Sequence, residues 1–152
     1  MKITKYLRPS LISLKLEAGD KRSVIGSLLN VLVEKGGLPK EKEQEVLEAL
    51  IERESLTSTG LGYGVALPHV KTNTVDKIQI VFGRSTKGID FEALDGNPTH
   101  FFFLVLAPAK DIEEYLKVLS SISLLMKDEN NRRSLIQAKT PEDIYKVLDK
   151  NV

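Results

Sequence analysis

A chain of 152 residues lies within the usual span of one folded domain and is long enough to enclose a hydrophobic core. Hydrophobic residues make up 41% and charged residues 28%, an ordinary globular balance that argues against disorder and against membrane insertion. The net charge of +1, with basic and acidic residues interspersed, supplies no basic surface for nucleic acid, and the absence of cysteine removes disulfides, thiolate catalysis and cysteine zinc sites.

Further classes drop out on the same grounds. The longest apolar run, Phe101 to Pro108, is far shorter than the roughly 20 residues a membrane helix needs. The amino-terminal MKITKYLRPS has no signal-peptide core, so a cytoplasmic location is expected. Only two histidines occur, His69 and His100, far apart in the chain, and no metal site is assigned. No repeat or linker divides the sequence, and residues 1–152 are read as one domain.

In chain order, Leu11 to Leu16 alternates apolar and polar residues like a short strand. Asp20 is placed to cap a helix carrying Val24, Ile25, Leu28 and Leu32, which Gly36-Gly37 stops. A second helix is predicted from near Pro39, through Val46, Leu47, Leu50 and Ile51, to about Glu54. Thr57 to Gly64 breaks the pattern. Gly60, Gly62 and Gly64 predict a shaped loop, followed by an extended Val65-Ala66-Leu67-Pro68 that ends at His69.

Strands are predicted at Ile78–Gly83 and His100–Leu106, the second so continuously apolar that both its faces must be covered. The pair Asp111 and Glu114 reads as a capping box opening a helix with Ile112, Tyr115, Leu116, Leu119 and Met126 on one face. Thr140-Pro141 opens a last helix with Ile144, Val147 and Leu148. The order of elements predicts a mixed α/β layer fold.

The chemistry concentrates between Arg53 and His69. A loop with several glycines can turn backbone N–H groups toward one point, Ser58 and Thr59 add hydroxyls, and an arginine fork matches phosphate oxygens. A neutral imidazole can attack phosphorus at neutral pH and leave again. The spacing is neither a dinucleotide fingerprint nor a Walker A loop, and no Gly-x-Ser-x-Gly elbow is present. Taken singly, each residue has a plainer explanation: a structural histidine, a helix-end arginine, a bend. The combination carries the functional reading.

The run Arg53-Glu54-x-Leu56-x-Ser58-Thr59-Gly60-Leu61-Gly62-x-Gly64-Val65-Ala66-Leu67-Pro68-His69 resembles the active-site signature of type 2 enzyme IIA domains of the sugar phosphotransferase system, the fructose/mannitol family, including its nitrogen-regulatory branch. Gly88-Ile89-Asp90-Phe91-x-Ala93-Leu94-Asp95-Gly96-x-Pro98 resembles the family's connecting segment, and Phe102 to Pro108 its central strand. The resemblance implies a mixed β-sheet sandwiched between helices. It implies that His69 accepts phosphoryl from the phosphocarrier HPr or its nitrogen-branch relative, with no metal or other cofactor. A IIB domain or a regulatory target would then receive the group or the signal. Arg53 would steady the phosphoryl oxygens, with Ser58, Thr59 and the amides of Gly60, Gly62 and Gly64 as loop donors.

The pattern departs in one place that matters. Where the family usually carries a second histidine beside the phosphorylated one, this chain has Tyr115, followed by Leu116. Periodicity alone explains Tyr115 as core; the functional alternative makes its hydroxyl a hydrogen-bond partner of His69 or its phosphate, without the positive charge of a protonated histidine. His100 is read as an edge residue and no substitute. Val70 replaces a common glycine. Two functions remain in view, a phosphocarrier and a regulatory binding protein that keeps the fold without phosphorylation.

Overall fold

The computed structural model describes all of residues 1–152. Helix α1, Lys21–Glu34, opens on Asp20 as expected: the Ser23 amide donates to the Asp20 carboxylate at 2.8 Å and the Asp20 amide donates to Ser23 Oγ at 3.1 Å. Gly36, at φ +78°, turns the chain away after it, a conformation that costs glycine nothing. Helix α2, Glu43–Leu56, starts later than predicted, because Pro39 leads into a tight turn over Lys40–Lys42 before the helix proper.

The sheet is mixed. Its strands are β1 (Ile12–Ser13), β2 (Gly60–Gly62), β3 (Val65–Ala66), β4 (His69–Lys71), β5 (Gln79–Ile89) and β6 (Thr99–Ala107). They lie in the order β1-β5-β6-β3-β2, with β4 following β3 along the same edge of β6. β5 and β6 are antiparallel; β1 runs parallel to β5, and β3 and β4 run parallel to β6. Three strand expectations need correction. The Leu11–Leu16 segment pairs only over Ile12–Ser13, plus one bond from the Leu16 amide to the Arg84 carbonyl at 2.8 Å. The Ile78–Gly83 strand continues to Ile89, since Arg84 pairs with Phe101 and Ile89 with Thr99 of β6 across a register shift at Ser85–Gly88. The predicted loop contains β2, which pairs antiparallel with β3 through a bulge between Gly60 and Gly62.

Helices cover both faces, as β6 required. A Cβ placed on Gly83 would lie 2.7 Å from Leu28 Cδ2, so that face rests on α1. Arg84 points the other way, and its Nη1 donates to the carbonyls of Leu135 at 2.7 Å and Ala138 at 2.6 Å, at the end of α4 (Glu129–Gln137). That buried arginine satisfies orphan helix carbonyls, a role periodicity could not reveal. Helix α4 itself escaped the sequence reading; Asp128 caps it, and Leu135 is its only buried large apolar residue. Helix α5, Pro141–Leu148, follows as predicted, with the Asp143 amide donating to Thr140 Oγ1 at 3.1 Å.

Helix α3, Ile112–Lys127, differs from expectation in two ways. Its capping box does not form, because Glu114 instead accepts the Tyr6 hydroxyl at 2.6 Å. Its inward face is Tyr115, Val118, Ile122, Leu125 and Met126, while Leu116 is 58% exposed. The core gathers 39 residues around Phe82, Phe91, Phe102 and Phe103, with Phe82 and Phe103 meeting edge to face at 5.1 Å between centroids. Deleting one such ring costs about 3–5 kcal/mol.

Candidate active site

His69 begins β4 opposite Val105, which puts it on the Arg84 face of the sheet, beneath α3. Pro68 precedes it in extended conformation and its carbonyl accepts the Val105 amide at 3.0 Å, so β6 holds the backbone on which His69 stands. The His69 Nδ1 lies 2.6 Å from the Leu67 carbonyl oxygen. A carbonyl only accepts, so Nδ1 carries the proton and the lone pair is left on Nε2. Burial lowers the His69 pKa below its usual 6.5 and the Arg53 guanidinium lowers it further, against opposing effects of the Leu67 carbonyl and Glu54. The imidazole is therefore neutral at pH 7.

Tyr115 stands beside it, with ring centroids 6.0 Å apart and planes tilted by 58°. At 5% exposure the tyrosine belongs to the core, so the packing reading of Tyr115 and its placement beside His69 hold together. Burial pushes its hydroxyl up to about 12, with Arg53 pulling the other way, so it stays a neutral donor across the physiological range.

Arg53 comes from the last turn of α2, where a cation also suits the helix dipole. Its one hydrogen bond in the chain runs from Nη1 to the Thr57 carbonyl at 3.2 Å, which leaves the rest of the fork for an anion. Its charge acts on both His69 and Tyr115, so these three side chains form one cluster drawn from α2, β4 and α3.

The expected loop donors do not join it. Ser58 Oγ donates to the Phe91 carbonyl at 3.1 Å and accepts the Gly60 amide at 3.1 Å. Thr59 gives both its amide, at 2.8 Å, and its hydroxyl, at 2.6 Å, to the Glu54 carboxylate. Gly62 and Gly64 take the positive φ angles of +91° and +75° that the loop needs, but they lie beyond Val65. Val65 is paired with Phe101 and His69 with Val105; four residues of strand separate them by about 13 Å. The glycines shape the approach to the strand and do not aim amides at His69. Glu54, which holds Thr59, was not singled out in the sequence. Its signal was a carboxylate at a helix C-terminus, where the dipole disfavours it.

His100 is remote from this cluster, half-buried at the start of β6. It lies in β6, holds Nδ1 2.9 Å from the Ser85 carbonyl, and would touch any Cβ placed on Gly64 or Gly88. No helix is long and apolar enough to cross a membrane.

Residues 5–151 match the family described as phosphoenolpyruvate-dependent sugar phosphotransferase system, EIIA 2. The chain is 38% identical over 151 residues to the fructose-specific EIIABC component of the phosphotransferase system of Bacillus subtilis, covering 99% of this chain and 24% of that one, so it spans about a quarter of that relative. It is 36% identical over 148 residues to a nitrogen regulatory protein of Bradyrhizobium diazoefficiens, covering 97% of this chain and 95% of the relative. Nitrogen regulatory protein IIA-Ntr from Neisseria meningitidis superposes with a TM-score of 0.88 at 32% identity, over 96% of this chain and 98% of that one. With agreement in sequence and in backbone course running nearly from end to end, the chain belongs to the type 2 enzyme IIA family of the phosphoenolpyruvate-dependent sugar phosphotransferase system.

Proposed function

We propose that this chain is a phosphocarrier whose acceptor atom is His69 Nε2, charged by an HPr-type donor and discharged to a IIB domain or read as a regulatory state. The observation that carries this reading is the 2.6 Å contact between His69 Nδ1 and the Leu67 carbonyl, which leaves Nε2 as the free base.

In the transfer, the Nε2 lone pair attacks the phosphorus of the donor's phosphohistidine in line. The donor N–P bond breaks and its electron pair returns to the donor imidazole. No proton need leave His69. The positive charge that develops on its ring is shared with Nδ1–H, and the bond to Leu67 becomes charge-assisted. Arg53 pairs with the phosphoryl oxygens as they pass between the two nitrogens, and the lowered pKa keeps Nε2 unprotonated for attack. Tyr115 offers one neutral hydrogen bond to the same oxygens.

Incubation with enzyme I, phosphoenolpyruvate and an HPr-type donor tests the proposal. An acid-labile phosphoryl group should appear on the chain and be lost in His69→Ala; a wild-type chain that stays unlabelled with every such donor overturns it. The neutral Tyr115 in place of a second histidine favours one further reading, a binding protein whose partner recognition survives His69→Ala unchanged. Likeness to both fructose-specific and nitrogen-regulatory relatives supports either acceptor.

A further inference from the structure

Glu54 is a costly residue to place where it is. It is 5% exposed, and it sits in the last turn of α2, at the negative end of the helix dipole. Three donors compensate it: the Thr59 amide at 2.8 Å, the Thr59 hydroxyl at 2.6 Å and Lys21 Nζ at 3.2 Å. Lys21 opens α1, so the carboxylate ties the start of one helix and the end of another to a single turn of the loop.

That turn leads directly to the nucleophile. The Thr59 carbonyl accepts the Leu67 amide at 3.0 Å, and the Leu67 carbonyl accepts Nδ1–H of His69 at 2.6 Å. Two residues before Thr59, the Thr57 carbonyl accepts Arg53 Nη1 at 3.2 Å. The three-residue segment 57–59 is thus held at one end by Arg53 and at the other by Glu54, and it links the arginine to the Leu67 peptide beside the histidine.

The geometry points to Glu54 as the positioning residue of the transfer site: by anchoring Thr59 it sets the Leu67 carbonyl that selects the Nδ1–H tautomer of His69, and it registers Arg53 against that ring. This rests on the reading of His69 as phosphoryl acceptor. Glu54 touches no reacting atom. Its effect travels through two peptide units, each with a defined hydrogen bond, and loosening the first of them frees the Leu67 carbonyl to shift.

The test uses the full chain with its histidines labelled with nitrogen-15. Long-range proton–nitrogen correlation above neutral pH reads the His69 tautomer without any donor protein, and phosphoryl transfer is measured separately. The wild type should show Nδ1 protonated. Glu54→Ala should move His69 toward a mixture of tautomers and slow transfer on the order of 10- to 100-fold. Glu54→Gln, which still offers a carbonyl oxygen to Thr59, should keep the tautomer and most of the rate. A folded Glu54→Ala chain with an unchanged tautomer or an unchanged rate overturns the proposal. So does a Glu54→Gln chain as impaired as Glu54→Ala, because the charge and not the anchoring would then be what matters. If Glu54→Ala fails to fold, Thr59→Val removes only the 2.6 Å hydroxyl bond and should still shift the tautomer part of the way; no shift there overturns the proposal. A wild-type chain that accepts no phosphoryl defeats the carrier reading alone, while the tautomer still decides the positioning role.

Discussion

The two histidines make the same first contact and have different surroundings. His69 holds Nδ1 2.6 Å from the Leu67 carbonyl and His100 holds Nδ1 2.9 Å from the Ser85 carbonyl, so each is fixed as the same tautomer. Around His69 stand a guanidinium with unused donors and a tyrosine ring. Around His100 stand Gly64 and Gly88, whose lack of a side chain lets the ring fit against backbone. A hydrogen bond at Nδ1 therefore prepares an imidazole for nucleophilic work without assigning it. In the proposed carrier the neighbours separate the two: charge stands at one ring and close packing at the other.

The largest effect that could break this comparison lies at Arg53. Arg53→Ala should lower the rate of phosphoryl transfer to His69 on the order of 100-fold, whereas His100→Gln should leave it unchanged. Single-turnover labelling with a phosphorylated donor compares them, and equal losses would dissolve the distinction. At the other ring the expected damage is to stability. Gly88 has φ +85°, and a Cβ there would fall 2.7 Å from Pro98 Cβ and 2.9 Å from His100 Cε1. Gly88→Ala should cost about 1–3 kcal/mol in urea unfolding while transfer per folded molecule stays at wild type.

A smaller effect belongs to Tyr115. Tyr115→Phe removes the hydroxyl proposed to meet the phosphoryl oxygens and should slow transfer by about fivefold, near 1 kcal/mol, with the melting temperature nearly unchanged. A rate identical to wild type would make Tyr115 packing alone. The smallest effect is in pH. Folded His69 binds its proton less readily than the unfolded imidazole of pKa 6.5, so the unfolded chain takes up protons first as pH falls. The stability tied to this group is complete above that pKa and declines below it, toward the lower folded value. His69→Gln should flatten that part of the stability–pH curve; an unaltered slope would show that His69 is not buried as a neutral base.

Much of the fold was legible because its signals are local. The Asp20 cap, the Gly36 stop, the Thr140 cap and the unbroken apolar run of β6 each follow from a few neighbouring residues. What failed depended on distant partners. Glu114 left its capping box for the hydroxyl of Tyr6, 108 residues away. Leu116 fell outside the buried face because the sheet set the rotation of α3, and α4 was missed because Arg84 and a single buried leucine hold a mostly polar helix.

The site divides along the same line. By itself the sequence determined that His69 follows an extended Leu67-Pro68, that Arg53 ends a helix, and that a glycine-bearing turn joins them, since backbone sterics and helix periodicity act over a few residues. Only the tertiary structure decided which donors reach the ring. The register of β3 and β4 on β6 carried Gly62 and Gly64 away from His69, the Glu54 carboxylate claimed Thr59, and α3 brought Tyr115 to 6.0 Å from the imidazole. Those outcomes turn on strand register and on the pairing of buried polar groups, which no local pattern of residues encodes.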